Sequence, residues 1–109
     1  MFSLFYDCKS LTKIKNMEFL DTSAVTNMSS LFNGCTSLKE VNIAKLNSIN
    51  VIDISNMFKN CLNLTNVDDI NKWDAIKLVN ISCLFCGCVS LEKVNLSNLD
   101  IPALHVKYF

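Results

Sequence analysis

Apolar and polar positions along this chain repeat one phrase four times. The copies are Leu4-Phe5-Tyr6-Asp7-Cys8-Lys9-Ser10-Leu11, Leu31-Phe32-Asn33-Gly34-Cys35-Thr36-Ser37-Leu38, Met57-Phe58-Lys59-Asn60-Cys61-Leu62-Asn63-Leu64 and Leu84-Phe85-Cys86-Gly87-Cys88-Val89-Ser90-Leu91. Their cysteines, Cys8, Cys35, Cys61 and Cys88, lie 27, 26 and 27 residues apart. A fixed period of this size marks a chain that stacks one supersecondary unit on copies of itself.

Within each unit the apolar spacing changes. After Cys35 come Leu38, Val41 and Ile43, and after Cys88 come Leu91, Val94 and Leu96. The closing step of two predicts a short strand with one buried face. Leu11, Ile14 and Met17, like Leu64, Val67 and Ile70, run one place late, which fits a bulge or a wider turn. A second anchor follows at Leu20, Leu46, Trp73 and Leu99. Behind it stand Asp21, Asn47, Asp74 and Asp100, residue types whose side chains bond the backbone two residues on. Val25, Met28, Leu31, Phe32 and Cys35 are then spaced by three or four, and Val51 to Cys61 and Leu78 to Cys88 repeat the spacing. This pattern predicts a helix of about two turns. Asn27, Asp53 and Asn80 are suitable N-caps, and Asp7, Gly34, Asn60 and Gly87 suit the left-handed residue that ends a helix. Ser10, Ser37, Asn63 and Ser90 form a further turn column.

The predicted fold is therefore an α/β solenoid of about four 26–27-residue coils, near 4–30, 31–56, 57–83 and 84–109. Parallel strands line one face, short helices the other, in a horseshoe segment. With 109 residues, half of them hydrophobic, the chain makes a single repeat domain. Ten basic and ten acidic residues give no net charge, so nothing draws a polyphosphate and no nucleic-acid partner is expected. No apolar run approaches a membrane span, so no membrane insertion is expected. The start lacks a basic segment followed by a long apolar one, so no signal peptide is expected. The first copy enters in mid-phrase and the last stops at Phe109 without a polar cap, which predicts a longer array or a capping partner. Open sheet edges at the ends predict end-to-end self-association.

The segment Leu20-Asp21-Thr22-Ser23-Ala24-Val25-Thr26-Asn27-Met28-Ser29-Ser30-Leu31-Phe32-Asn33-Gly34-Cys35-Thr36-Ser37-Leu38 resembles the BspA-like leucine-rich repeats, and more closely the 26-residue repeats of bacterial surface proteins and lipoproteins. Trp73-Asp74 and Leu78-Val79-Asn80-Ile81-Ser82 carry the same phrase in the third unit. The resemblance implies a leucine-rich-repeat-like fold, a cell-surface or secreted location, a part in adhesion or host contact, and no catalytic motif.

Candidate chemistry narrows little further. The six cysteines raise the question of zinc, but Cys83, Cys86 and Cys88 are predicted on different faces with no suitable histidine, so no metal or other cofactor is expected. The repeat cysteines read as small buried hydrophobes. Stacked neighbours among them also approach the separation a disulfide needs. Cys83 and Cys86, predicted on the helix surface, are open to oxidation. His105 is the single histidine and reads as a surface residue. Trp73 takes a leucine's place in an anchor column and reads as core. Asn27, Asn63, Asn80 and Asn95 match the N-glycosylation pattern, which matters only for an exported protein of a eukaryote. No phosphate loop or dinucleotide fingerprint is present, and no enzyme is expected. The varied polar residues flanking the strand positions, Lys13, Lys15, Glu40, Asn42, Asn66, Asp68, Lys93 and Asn95, are the candidate binding face for a protein or glycan. The alternative is a structural spacer within a longer surface protein.

Overall fold

A computed structural model describes residues 3–92 and 94. The four copies of the phrase do lie one on another. Phe5, Phe32, Phe58 and Phe85 form a continuous column of rings, with centroids 5.6, 5.4 and 5.7 Å apart and ring planes within 10° of parallel.

The expected α/β solenoid is not what the chain forms. Among the described residues there is no α-helix and no sheet. Regular structure consists of three 3₁₀ turns, Met17–Phe19, Ile43–Lys45 and Asp68–Lys72, and isolated parallel bridges pairing Asn27 with Asp53, Glu40 with Asn66, and Asp53 with Asn80.

The predicted helix is instead a run of overlapping tight turns. In residues 28–35, the N–H groups of Leu31, Asn33 and Cys35 donate three residues back, to Met28, Ser30 and Phe32. The intervening N–H groups of Met28, Ser30, Phe32 and Gly34 donate to the next copy, to Asp53, Ser55, Met57 and Lys59 at 2.8–2.9 Å. Ile54, Asn56, Phe58 and Asn60 donate in the same way to Asn80, Ser82, Leu84 and Cys86. An α-helix would bind these amides within its own segment. Here half of them are shared with a neighbouring copy.

Backbone conformation explains why the helical spacing misleads. Ser30, Asn56 and Cys83 have φ of 57°, 58° and 53°, and Asp7, Gly34, Asn60 and Gly87 have 61°, 82°, 61° and 79°. Left-handed residues placed every few positions forbid a continuous right-handed helix. Successive turns of three to four residues bring every third or fourth side chain inward, which is also a helix's signature. The predicted caps are made, but they cap turns: Asn27, Asp53 and Asn80 accept through Oδ1 from the N–H two residues on, at 2.8, 2.8 and 3.1 Å. Asp21 and Asn47 do the same for Ser23 and Ile49.

Among the described residues, the predicted strand segments form no sheet, and main-chain contact between copies is sparse there. Lys39 N–H donates to Thr12 at 3.1 Å, Thr65 N–H donates to Lys39 at 3.5 Å, and Glu40 bridges to Asn66. The one-residue slips are absorbed in two ways. Asn16 takes a left-handed φ of 60° in the first copy, and the 3₁₀ turn lengthens to five residues at Asp68–Lys72 in the third. Met17, Ile43 and Ile70 consequently all reach the core. That core also holds Met28, Leu31, Leu38, Ile54, Met57, Leu64 and Ile81. Trp73 is buried in its anchor column, with its indole N–H donating to the Ile43 carbonyl at 2.7 Å.

The left-handed column shows why glycine appears in every second copy. A Cβ on Gly34 would overlap the Asp7 side-chain oxygen, and one on Gly87 would overlap that of Asn60. Each Asx side chain leans over the next copy's Cα, which must then be bare. Gly34→Ala is expected to lose about 1–3 kcal/mol, from left-handed strain and the overlap with Asp7. Adding Asp7→Gly to that variant recovers part of the loss, a non-additivity that urea unfolding of the two single variants and the double variant measures.

Candidate functional site

Packing between copies gathers several of the polar flanking residues around one cleft of about 410 Å³. Its apolar lining is Ile14, Val41 and Val67, and its polar lining is Lys13, Glu40, Asn42 and Asn66. Val41 and Val67 belong to the core, and Ile14 packs against it. The Glu40–Asn66 bridge fixes the backbone beneath two of the polar groups. Lys13, Glu40, Asn42 and Asn66 are all exposed. One cation, one anion and two amides from three successive copies thus surround an aliphatic floor. Such a set can make hydrogen bonds and ion pairs with an extended ligand, but it holds no nucleophile beside a base.

Of the eight residues proposed from sequence, these four come together. Lys15 is exposed but does not line the cleft. Lys93, Asn95 and the side chain of Asp68 lie outside the described residues, as does His105. Flanking polarity alone did not mark the cleft's walls; its aliphatic floor was legible only as part of the buried strand columns. Sequence reasoning also missed three groups that tie copies together. The Thr22 hydroxyl donates to the Asn47 carbonyl at 3.0 Å and accepts from the Asn47 N–H at 2.7 Å. Asn50 and Asn63 donate through Nδ2 to the carbonyls of Ser23 and Thr36, at 2.7 and 2.9 Å.

The cysteines separate into two kinds. Cys35, Cys61 and Cys88 point at the preceding copy, where each thiol donates to the carbonyl of Phe5, Phe32 or Phe58 at 3.0, 3.2 and 2.9 Å. Cys8, Cys35, Cys61 and Cys88 are all free thiols, so stacked repeat cysteines do not cross-link. Burial pushes the thiol pKa of Cys35 and of Cys88 up to about 11 and raises that of Cys61 as well. Cys83 and Cys86, by contrast, form a disulfide, with Cα atoms 4.8 Å apart. Among the described residues no group of three or more His, Cys, Asp or Glu side chains is placed to hold a metal ion.

The family described as "Mycoplasma protein of unknown function, DUF285" matches residues 1–106. The chain belongs to that family. No curated protein matches this DUF285 chain. A solved structure, that of the T. pallidum leucine-rich-repeat protein TpLRR, is similar at 21% identity over 90% of the chain, with a TM-score of 0.39. The match spans 61% of that protein's length. DUF285 membership does not reach the specific BspA-like assignment.

For the DUF285 fold the inward thiols carry a pH dependence of known sign. Unfolded cysteines ionise near pH 8.5–9, whereas Cys35 and Cys88 keep their protons to about pH 11. Their contribution is complete below pH 8.5 and is lost as the pH rises through 11. Urea midpoints are expected to fall between pH 8 and about pH 11. The Cys35→Ala variant, less stable at neutral pH, shows a shallower fall.

Proposed function

We propose that this DUF285 chain is a non-catalytic binding module whose ligand is an extended polypeptide segment lying in the cleft over Lys13, Glu40, Asn42 and Asn66. The observation that carries this reading is the cleft itself, in which an aliphatic floor is surrounded by charges of both signs and two amides. Side-chain amides satisfy the backbone N–H and C=O groups of a bound peptide, and the floor of Ile14, Val41 and Val67 takes its apolar side chains. None of the described lining residues is aromatic, so they offer no flat apolar ring to a sugar face, and a glycan is the less favoured occupant. The likeness of the repeat phrase to bacterial surface repeats supports a surface setting and a part in adhesion.

A displayed peptide library selected on the full chain tests this reading, with the variant Lys13→Glu/Glu40→Lys as counter-target. Both substitutions fall on exposed side chains, so the variant is expected to unfold at the wild-type urea midpoint. Selected peptides are expected to compete with one another and to lose at least tenfold in Kd on the variant, about 1.4 kcal/mol. Their affinity is also expected to weaken with added salt. Peptides that bind both proteins equally would move the ligand off the cleft. Failure to select any, with binding only on a glycan array that the variant abolishes, would replace the polypeptide with a sugar. No charge-sensitive ligand of either class would leave the spacer role.

A further inference from the structure

Two of the six cysteines stand outside the repeat's packing logic. Cys83 and Cys86 occupy the places held by Ser30 and Asn33 in the second copy and by Asn56 and Lys59 in the third. In the second copy Asn33 Nδ2 donates to Ser30 Oγ at 3.3 Å. The turn thus brings these two side chains into contact in the second copy. In the fourth copy the same contact is a disulfide.

That disulfide is not what holds its turn. The left-handed φ of Cys83, 53°, matches the 57° of Ser30 and the 58° of Asn56, which have no cross-link. The closing bond from Cys86 N–H to the Cys83 carbonyl, 3.3 Å, has counterparts at 3.1 Å from Asn33 to Ser30 and 3.2 Å from Lys59 to Asn56. The segment is further fixed from below, where Asn56, Phe58 and Asn60 donate to the carbonyls of Ser82, Leu84 and Cys86 at 2.9, 3.1 and 2.8 Å. A loop closed between residues three apart also removes little entropy from the unfolded chain. Reduction thus leaves the fold in place and the two thiols side by side. Both sulfur-bearing residues are half-buried, within reach of a small thiol.

We propose that Cys83 and Cys86 form a reversible two-electron thiol–disulfide site that exchanges with low-molecular-weight thiols, while the buried Cys35 and Cys61 stay reduced. A small thiolate attacks one sulfur of the pair; the S–S bond breaks, and the other cysteine leaves as a thiolate and takes a proton from water. A second small thiolate attacks the mixed disulfide and releases the remaining cysteine, which is protonated in turn. Two small thiols are oxidised to one disulfide, and the protein disulfide is reduced to a dithiol. The reverse path reoxidises it. Cys35 and Cys61 take no part, because each is buried and its thiol donates to a carbonyl of the copy before.

The test equilibrates the full chain in mixtures of glutathione and glutathione disulfide, approached from the oxidised and the reduced side, then quenches with acid and alkylates. The expected result is one transition in which Cys83 and Cys86 gain label together, retraced from both directions, with an unchanged far-ultraviolet circular dichroism spectrum. In the native reduced protein these two cysteines should alkylate roughly 100-fold faster than Cys61. One equivalent of phenylarsine oxide, which bridges two neighbouring thiols with loss of water, should bind the reduced chain and none the oxidised chain. Cys83→Ser, which restores the residue of the second copy, should fold and abolish that binding. A pair that stays oxidised in the most reducing mixture, a reduced chain that loses its fold, or arsenical binding that survives in Cys83→Ser would each overturn the proposal.

Discussion

Main-chain amides of the turn segments alternate in what they bind, and every other feature of this protein depends on that alternation. One amide closes a turn within its own copy, and the next donates to the copy above. The two bond types together satisfy the backbone of a segment with neither helix nor sheet, as burial requires. They also fix the register between copies, because donor and acceptor sit 25 or 26 residues apart in sequence. Phenylalanine must then lie over phenylalanine and cysteine over cysteine. The 26- and 27-residue periods coexist because the extra residue falls outside these segments, at Asn16 in one copy and in the longer 3₁₀ turn in another.

The register sets local chemistry as well as shape. A left-handed residue recurs at the same place in each copy, and its side chain overhangs the next copy, so Asx and glycine alternate as Asp7, Gly34, Asn60 and Gly87. A thiol beside the phenylalanine column finds the carbonyl of the copy before, which is why a small weak donor suits that position. The same burial that seats the thiol suppresses its ionisation. Cys83 and Cys86 instead pair with each other in a turn of the fourth copy. Repetition builds the interior, and the departures from repetition carry the candidate chemistry.

The cleft residues and the Cys83–Cys86 pair differ from copy to copy, whereas the phenylalanine and cysteine columns recur, so the candidate chemistry lies in the positions the repeat leaves free to vary.

The sequence by itself determined the period, the columns that lie on one another and the burial of Leu38, Val41, Ile54 and Trp73, because identical spacing in stacked copies forces identical environments. It also marked the Asx and glycine turn positions, because few residue types tolerate those conformations. It did not determine the class of structure between those positions. Inward side chains every three or four residues arise equally from a helix and from successive tight turns, and only the partners of the alternate amides distinguish the two. Those partners lie in another copy, so they were invisible to local pattern. The same reason hid the convergence of Lys13, Glu40, Asn42 and Asn66, whereas the pairing of Cys83 with Cys86 lies within one turn and was hidden by reading that turn as a helix. Each depends on where the backbone turns in three dimensions, and tertiary hydrogen bonding decides that.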